Sequence, residues 1–185
     1  MTSSDVQHVI GELQSTIEQL KASSNTDSLT GIINRKCMES KLRSLSSRLI
    51  NDKTITIAMI DIDKFKEIND QHGHQVGDLC LQHFVKVINQ NIRVEDSLSR
   101  WGGDEFLLML NDPDVESAKK TYQRLIDSLY EAPIQLPNGA QLHLKASFGV
   151  TQFHENFHLQ DSIKKADKML YKAKSQGGQQ VAFAM

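Results

Sequence analysis

The chain has no apolar run approaching the ~20 residues a membrane span needs, and no signal-peptide pattern is visible. It is therefore expected to be soluble and cytoplasmic, alone or as the cytoplasmic part of a larger protein. Cysteine is scarce. Cys37 and Cys80 stand in no C-x-x-C or metal-type spacing, and both fall in apolar helical patterns, so both are expected as buried thiols in a reducing compartment. There is no excess of positive charge: 21 Lys and Arg face 23 Asp and Glu, a formal net charge of −2. That argues against a nucleic acid polymer as partner, while a nucleotide needs only a local site. There is no internal repeat and no low-complexity tract. What remains is 185 residues, 39% hydrophobic and 24% charged, the balance of one compact domain plus a short appendage.

Residues 3 to 22 predict a helix outside the globular core. Val6, Ile10, Leu13, Ile17 and Leu20 alternate by four and three, the spacing of coiled-coil a and d positions. Residues 1–26 are thus expected as a stalk and hinge, and 27–185 as the domain. From there helices and strands alternate. A helix is expected over 34–50 (Cys37, Met38, Leu42, Leu45, Leu49) and a buried strand over Thr54–Asp61. A short helical turn follows at Lys64–Asp70, then a helix over 75–89 with Val76, Leu79, Cys80, Phe84, Val87 and Ile88 on one face. Leu98–Trp101 and Glu105–Leu110 flank Gly102-Gly103-Asp104 as a β-hairpin. A helix is expected over 115–131, and a hairpin pairs 133–136 with 141–153, with Gly149 as a bulge or close approach. A last helix over 159–175 and a strand over 180–183 complete an α/β (α+β) pattern of sheet with helices on its faces.

Two acidic clusters carry chemistry. Asp61-Ile62-Asp63 ends the apolar strand, where a carboxylate is solvent-reachable yet rigidly held. Asp104-Glu105 lies at the tip of the glycine hairpin. A divalent cation between them would relieve both, and Mg²⁺ prefers carboxylate and phosphate oxygens. A pair of solvated acidic turns is the plainer alternative. Gly102 and Gly103 let a ligand lie against the backbone. Asn69 and Asp78 suit a guanine edge, since Asp accepts from N1–H and N2–H while Asn can donate and accept; a turn-forming Asn and a helix N-terminal acid are the bland alternatives. Lys66 and Lys174 are candidate phosphate partners, with the amides of Lys64 and Phe65 as a cradle.

These pieces stand in the order found in GGDEF domains. Asp27-Ser28-Leu29-Thr30-Gly31-Ile32-Ile33-Asn34-Arg35 resembles the family's D-x-L-T-G-L-x-N-R opening. Asp61 through Asp70, Gly73-His74, Gly77-Asp78, Arg100-Trp101 and the Gly102-Gly103-Asp104-Glu105-Phe106 signature follow. Ala146-Ser147-Phe148-Gly149-Val150 and Ala166-Asp167 through Lys174 complete a series over about residues 27–182. The resemblance implies a diguanylate cyclase with a central, mainly antiparallel sheet flanked by helices, related to nucleotidyl cyclases and polymerase palms.

The resemblance further implies that Asp61, the carbonyl of Ile62 and Asp104 hold Mg²⁺ or Mn²⁺ (two ions per GTP), with Glu105 as base or metal ligand. Asn69 and Asp78 would read guanine and His74 would line the nucleotide. Lys66 and Lys174 would neutralise the triphosphate, Lys66 also stabilising the transition state. GTP would be the substrate and cyclic di-GMP the product, formed across a homodimer that the stalk promotes. Arg93-Val94-Glu95-Asp96 resembles the family's R-x-x-D product-inhibition site, with Arg124 a second contributor. One departure stands out: Gly177-Gly178-Gln179 replaces the usual Gly-Arg-Asn, so an arginine that would touch phosphate is missing. A non-catalytic nucleotide receptor and a hybrid dinucleotide synthase stay open as alternatives.

Overall fold

The first half of the domain runs β1 (Ile33–Asn34), α1 (Arg35–Ser46), β2 (Thr54–Ile62), α2 (Phe65–His72), α3 (His74–Asn91), β3 (Ser97–Gly102) and β4 (Glu105–Asp112). The second runs α4 (Val115–Glu131), β5 (Ile134–Gln135), β6 (Gln141–Leu142), β7 (Ala146–Phe153), α5 (Leu159–Ser175) and β8 (Val181–Ala184). The computed structural model describes residues 25–46, 54–112, 114–136, 139–153 and 158–184, together with residue 7. The expected stalk, residue 7 apart, and the Pro137-Asn138 turn lie outside the described residues. Among the described residues, no helix is long and apolar enough to cross a membrane.

Six strands form one sheet in the order β1-β3-β4-β2-β7-β8. The inner pairs are antiparallel, and the two outermost, β1 with β3 and β7 with β8, are parallel. This is the expected mainly antiparallel sheet with helices on both faces. On one face Ala58, Ile60, Ile62, Phe106, Leu108, Leu110, Phe148 and Val150 pack against α3 and α4. On the other Ile57, Met59, Leu107 and Met109 meet Met38 and Leu42 of α1 and Ile163, Ala166 and Leu170 of α5. A strand covered on both sides reads as a continuous apolar run, which is what Thr54–Ile62 is.

Three expectations change. The stretch 141–153 is not one strand. β6 pairs with β5 in a separate small hairpin, while β7 joins the central sheet beside β2. Between them Leu144 is buried in the core and the Lys145 carbonyl accepts from the Asp63 amide at 2.9 Å, a crossing that a period-two pattern cannot reveal. On α3 the buried face holds Gly77, Cys80, Leu81, Phe84, Val85, Val87 and Ile88, so Leu81 replaces Leu79, which is 45% exposed. Of the two cysteines Cys80 is buried, its thiol pushed up to about 11 by that burial, whereas Cys37 is only half-buried.

Two contacts orient the elements around the sheet's functional end. Gly149 is a close approach: a Cβ there would overlap the backbone of α5 at Ala166 and Leu170. Asp27 accepts from the Thr30 amide (2.9 Å) and hydroxyl (2.6 Å) and pairs with Arg100 at 3.1 Å. Arg100 also donates through Nε to the Gly103 carbonyl at 2.9 Å, so it joins the domain's opening turn to the glycine hairpin.

Two outcomes are expected. Gly149→Val forces α5 off the sheet, at a cost of ~1–3 kcal/mol or more, read as a lower denaturant midpoint. For Asp27, burial pushes the carboxyl up, but the Thr30 bonds and the Arg100 charge outweigh it and hold it below its ordinary value. A depressed folded-state pKa stabilises the fold above the ordinary carboxylate range and is lost as pH falls through the folded value. Asp27→Asn therefore melts lower near neutral pH, by ~1–3 kcal/mol, and its deficit closes below about pH 4 in melts run across pH.

Candidate active site

The end of β2 and the start of β4 are cross-strand neighbours. Asp61 pairs in register with Glu105, and the Ile62 amide donates to the Asp104 carbonyl at 3.4 Å. The glycine hairpin thus folds its two acids back onto Asp61. Gly103 takes a left-handed φ of 48° to make the turn, and a Cβ at Gly102 or Gly103 would meet nothing within 4 Å, so the space beside both is open to a ligand.

Burial pushes the Asp61 carboxyl up; the Lys174 ammonium opposes this, and Asp104 and Glu105 add to it as like charges. Lys174, on the last turn of α5, reaches Asp61 Oδ1 at 2.5 Å. The close seat of α5 on Gly149 brings that turn over the strand end. Among the described residues no three His, Cys, Asp or Glu side chains form a ready-made metal cluster. Mg²⁺ commonly sits on one or two carboxylates plus substrate phosphates, so Asp61, Asp104 and Glu105 suit it without a closed cage.

Asp63, two residues on, has a different use. Its Oδ1 accepts from the Ser147 hydroxyl at 2.7 Å and its Oδ2 from the Gln179 amide at 2.8 Å. It ties β7 and the turn after α5 to the strand end. That turn is left-handed at Gly177, Gly178 and Gln179, with φ of 110°, 72° and 51°. A Cβ at Gly178 would lie 3.0 Å from the Asp63 carboxylate. An arginine at 178 would be strained in this backbone, so the missing cation matches the turn actually built. Asp63, Lys64, Lys145, Lys174, Gly177 and Gly178 line a cavity of about 370 Å³. Lys145 was not singled out from the sequence. It precedes the Ser147 strand and becomes visible only once β7 lies beside β2.

Asn69 and Asp78, expected to read the base, are brought near each other by a tight turn. Gly73, at φ 81°, ends α2 and begins α3, its amide donating to the Asn69 carbonyl at 2.8 Å. Gly77 leaves room for the Asn69 side chain, since a Cβ there would overlap the amide oxygen and lie 3.3 Å from the Phe65 ring. Asn69 thus rests on the backbone one residue before Asp78. His74 opens α3 beside it. Lys64 sits just before α2 in left-handed conformation (φ 58°) with its ammonium 3.2 Å from Glu67, and Lys66 is exposed on the first turn.

The family of diguanylate cyclase GGDEF domains matches residues 24–180. The chain belongs to the GGDEF family. It is 35% identical over 170 residues to the uncharacterized protein YhcK of Bacillus subtilis, covering 90% of this chain and 47% of that protein. It is 35% identical over 161 residues to the probable diguanylate cyclase DgcC of Escherichia coli, covering 86% and 43%. The chain spans less than half the length of these curated relatives. Among solved structures, diguanylate cyclase SiaD of Pseudomonas aeruginosa, in complex with its activator SiaC, superposes with a TM-score of 0.83 at 30% identity, over 98% of this chain and 71% of that one. The coiled coil and GGDEF domain of DgcB from Caulobacter crescentus, in complex with c-di-GMP, shares the fold with a TM-score of 0.91 at 24% identity, over 98% and 96%.

In this GGDEF domain the Arg93–Asp96 turn lies at the opposite end of β4 from the signature, about 24 Å away for an eight-residue strand. Asp96 is occupied by backbone: its Oδ2 accepts from the Arg93 amide and its Oδ1 from the Asn111 amide, both at 2.9 Å. Arg93 itself is exposed, with a guanidinium nitrogen 3.8 Å from Asp112. Arg124 is carried by α4, and its charge also acts on Asp112.

Gly77→Ala should displace the Asn69 amide and weaken GTP binding about tenfold while leaving magnesium pyrophosphate binding in place, as titration calorimetry with the two ligands would read. Equal weakening of both would mean that Asn69 does not face the base.

Proposed function

We propose that the chain is a metal-dependent diguanylate cyclase, condensing two GTP into cyclic di-GMP and two pyrophosphates across a dimer of domains and inhibited by its product through Arg93 and Asp96. The observation that carries this reading is the register of Asp61 with Glu105, which gathers two strand-held acids beside a lysine-lined cavity. Asp61, the Ile62 carbonyl and Asp104 would hold Mg²⁺ or Mn²⁺, with Glu105 adjoining. The bound metal supplies charge stabilisation on phosphate oxygens and a lowered pKa for the attacking hydroxyl.

The chain's own groups do the rest. Glu105, exposed at the first position of β4, takes the proton of the ribose 3′-hydroxyl. Lys66, Lys174 and Lys145 neutralise the triphosphate, Lys145 standing in for the arginine absent at Gly178. Asp78 accepts from guanine N1–H and N2–H, Asn69 completes the edge and His74 lines the nucleotide. One base reader and one phosphate pocket hold one GTP. A cyclic product with two phosphodiester links therefore needs two domains face to face, each 3′-oxygen attacking the other's α-phosphorus. Residues 1–26, as a self-associating stalk, raise the concentration of one domain near its partner. GTP and Mg²⁺ are cytoplasmic solutes, and the domain is assigned to that compartment.

GTP and Mg²⁺ should yield cyclic di-GMP, identified by mass, and Glu105→Gln should lower turnover at least about 100-fold without abolishing GTP binding. Absence of product from a preparation shown to be dimeric would sink the reading. Offering ATP with GTP tests the hybrid alternative.

A further inference from the structure

Along β4 the side chains of Phe106, Leu108 and Leu110 enter the core on the face covered by α3 and α4. By the period of two, the next position on that face is Asp112, where an apolar residue would continue the core. The chain carries a carboxylate there instead, 4% exposed, with Oδ2 lacking a hydrogen-bond partner among the described residues. Burial of an unpartnered carboxylate oxygen is costly, and such a position calls for an explanation.

The surroundings supply one. Arg93 presents a guanidinium nitrogen 3.8 Å from Asp112 Oδ1, while 58% of the Arg93 side chain remains exposed. One guanidinium nitrogen lies near the buried acid, while more than half of the side chain is open to solvent. Burial pushes the Asp112 carboxyl up, as do the charges of Asp96 and Asp114; Arg93 and Arg124 oppose them, so both arginines bear on this one acid. Asp96 is engaged differently. Its two oxygens accept from the amides of Arg93 and Asn111 and hold the backbone of the turn. Asp96 bonds to the loop backbone, and Asp112 faces the Arg93 guanidinium.

We propose that Asp112 is a positioning residue of the product site, a buried anion that holds the guanidinium of Arg93 ready for the phosphates and guanine faces of a cyclic dinucleotide. The inference rests on reading the Arg93 turn as that site. Arginine is rich in rotamers, and ordering it before the ligand arrives removes part of the cost of binding. Asp112 touches no ligand itself.

The test is cyclic di-GMP binding to the full chain by titration calorimetry, with thermal melts of the same proteins without ligand. Asp112→Leu should bind about two- to tenfold more weakly. It should melt no lower than wild type, because a buried unpartnered carboxylate is replaced by an apolar group. Arg93→Ala should also weaken binding, and the double variant should lose no more than Arg93→Ala alone, because Asp112 acts through that arginine. Wild-type affinity in Asp112→Leu, additive losses in the double variant, or a loss of affinity that comes with a collapsed melt would each overturn the assignment. Unchanged affinity in Arg93→Ala would instead show that the product-site reading has failed, taking the role of Asp112 with it.

Discussion

The candidate site depends on one constraint, the antiparallel register that sets Asp61 opposite Glu105. β2 and β4 are both covered on two faces, so the register is locked by packing along their whole length. A slip of one residue would turn Ile57 and Met59 away from α1 and α5 and would part Asp61 from the hairpin acids at the same stroke. The apolar run before Asp61 and the apolar run after Glu105 are therefore what hold two like charges together. Packing at the buried end of each strand outweighs repulsion at the exposed end.

Helix α5 is the second element of that arrangement. It lies on the sheet at Gly149 without an intervening side chain, and its last turn brings Lys174 to Asp61. The turn beyond it folds back on Asp63, whose carboxylate accepts from Ser147 and Gln179. Arg100 fixes the other side by spanning Asp27 and the Gly103 carbonyl. The site is bounded by three devices: a close helix, a left-handed turn and an arginine bridge.

Much of this could be read along the chain. The helices over Val115–Glu131 and Leu159–Ser175 follow from strong amphipathic periods, and the glycine hairpin from its turn residues. The acids, Asn69 with Asp78, and the Arg93 turn carry recognisable spacing. The break between β6 and β7 was hidden because both halves continue the same alternation, and the two residues of β1 are too short to show any period. Lys145 gave no local signal; it adjoins Asp63 only because β7 lies beside β2. Asp112 did break a pattern, an acid where Phe106, Leu108 and Leu110 lead the eye to expect a fourth apolar residue.

By itself the sequence determined the α+β pattern, the family and the chemical character of the residues available, because propensity, periodicity and motif order are local properties of a chain. Tertiary structure decided which of those residues meet. It set Asp63 to hold the turn, put Lys145 in the cavity with Gly178, bonded Asp96 to the backbone and set Asp112 beside Arg93. Those assignments depend on strand register and on how closely a helix can approach a sheet, and both are settled only when distant segments pack.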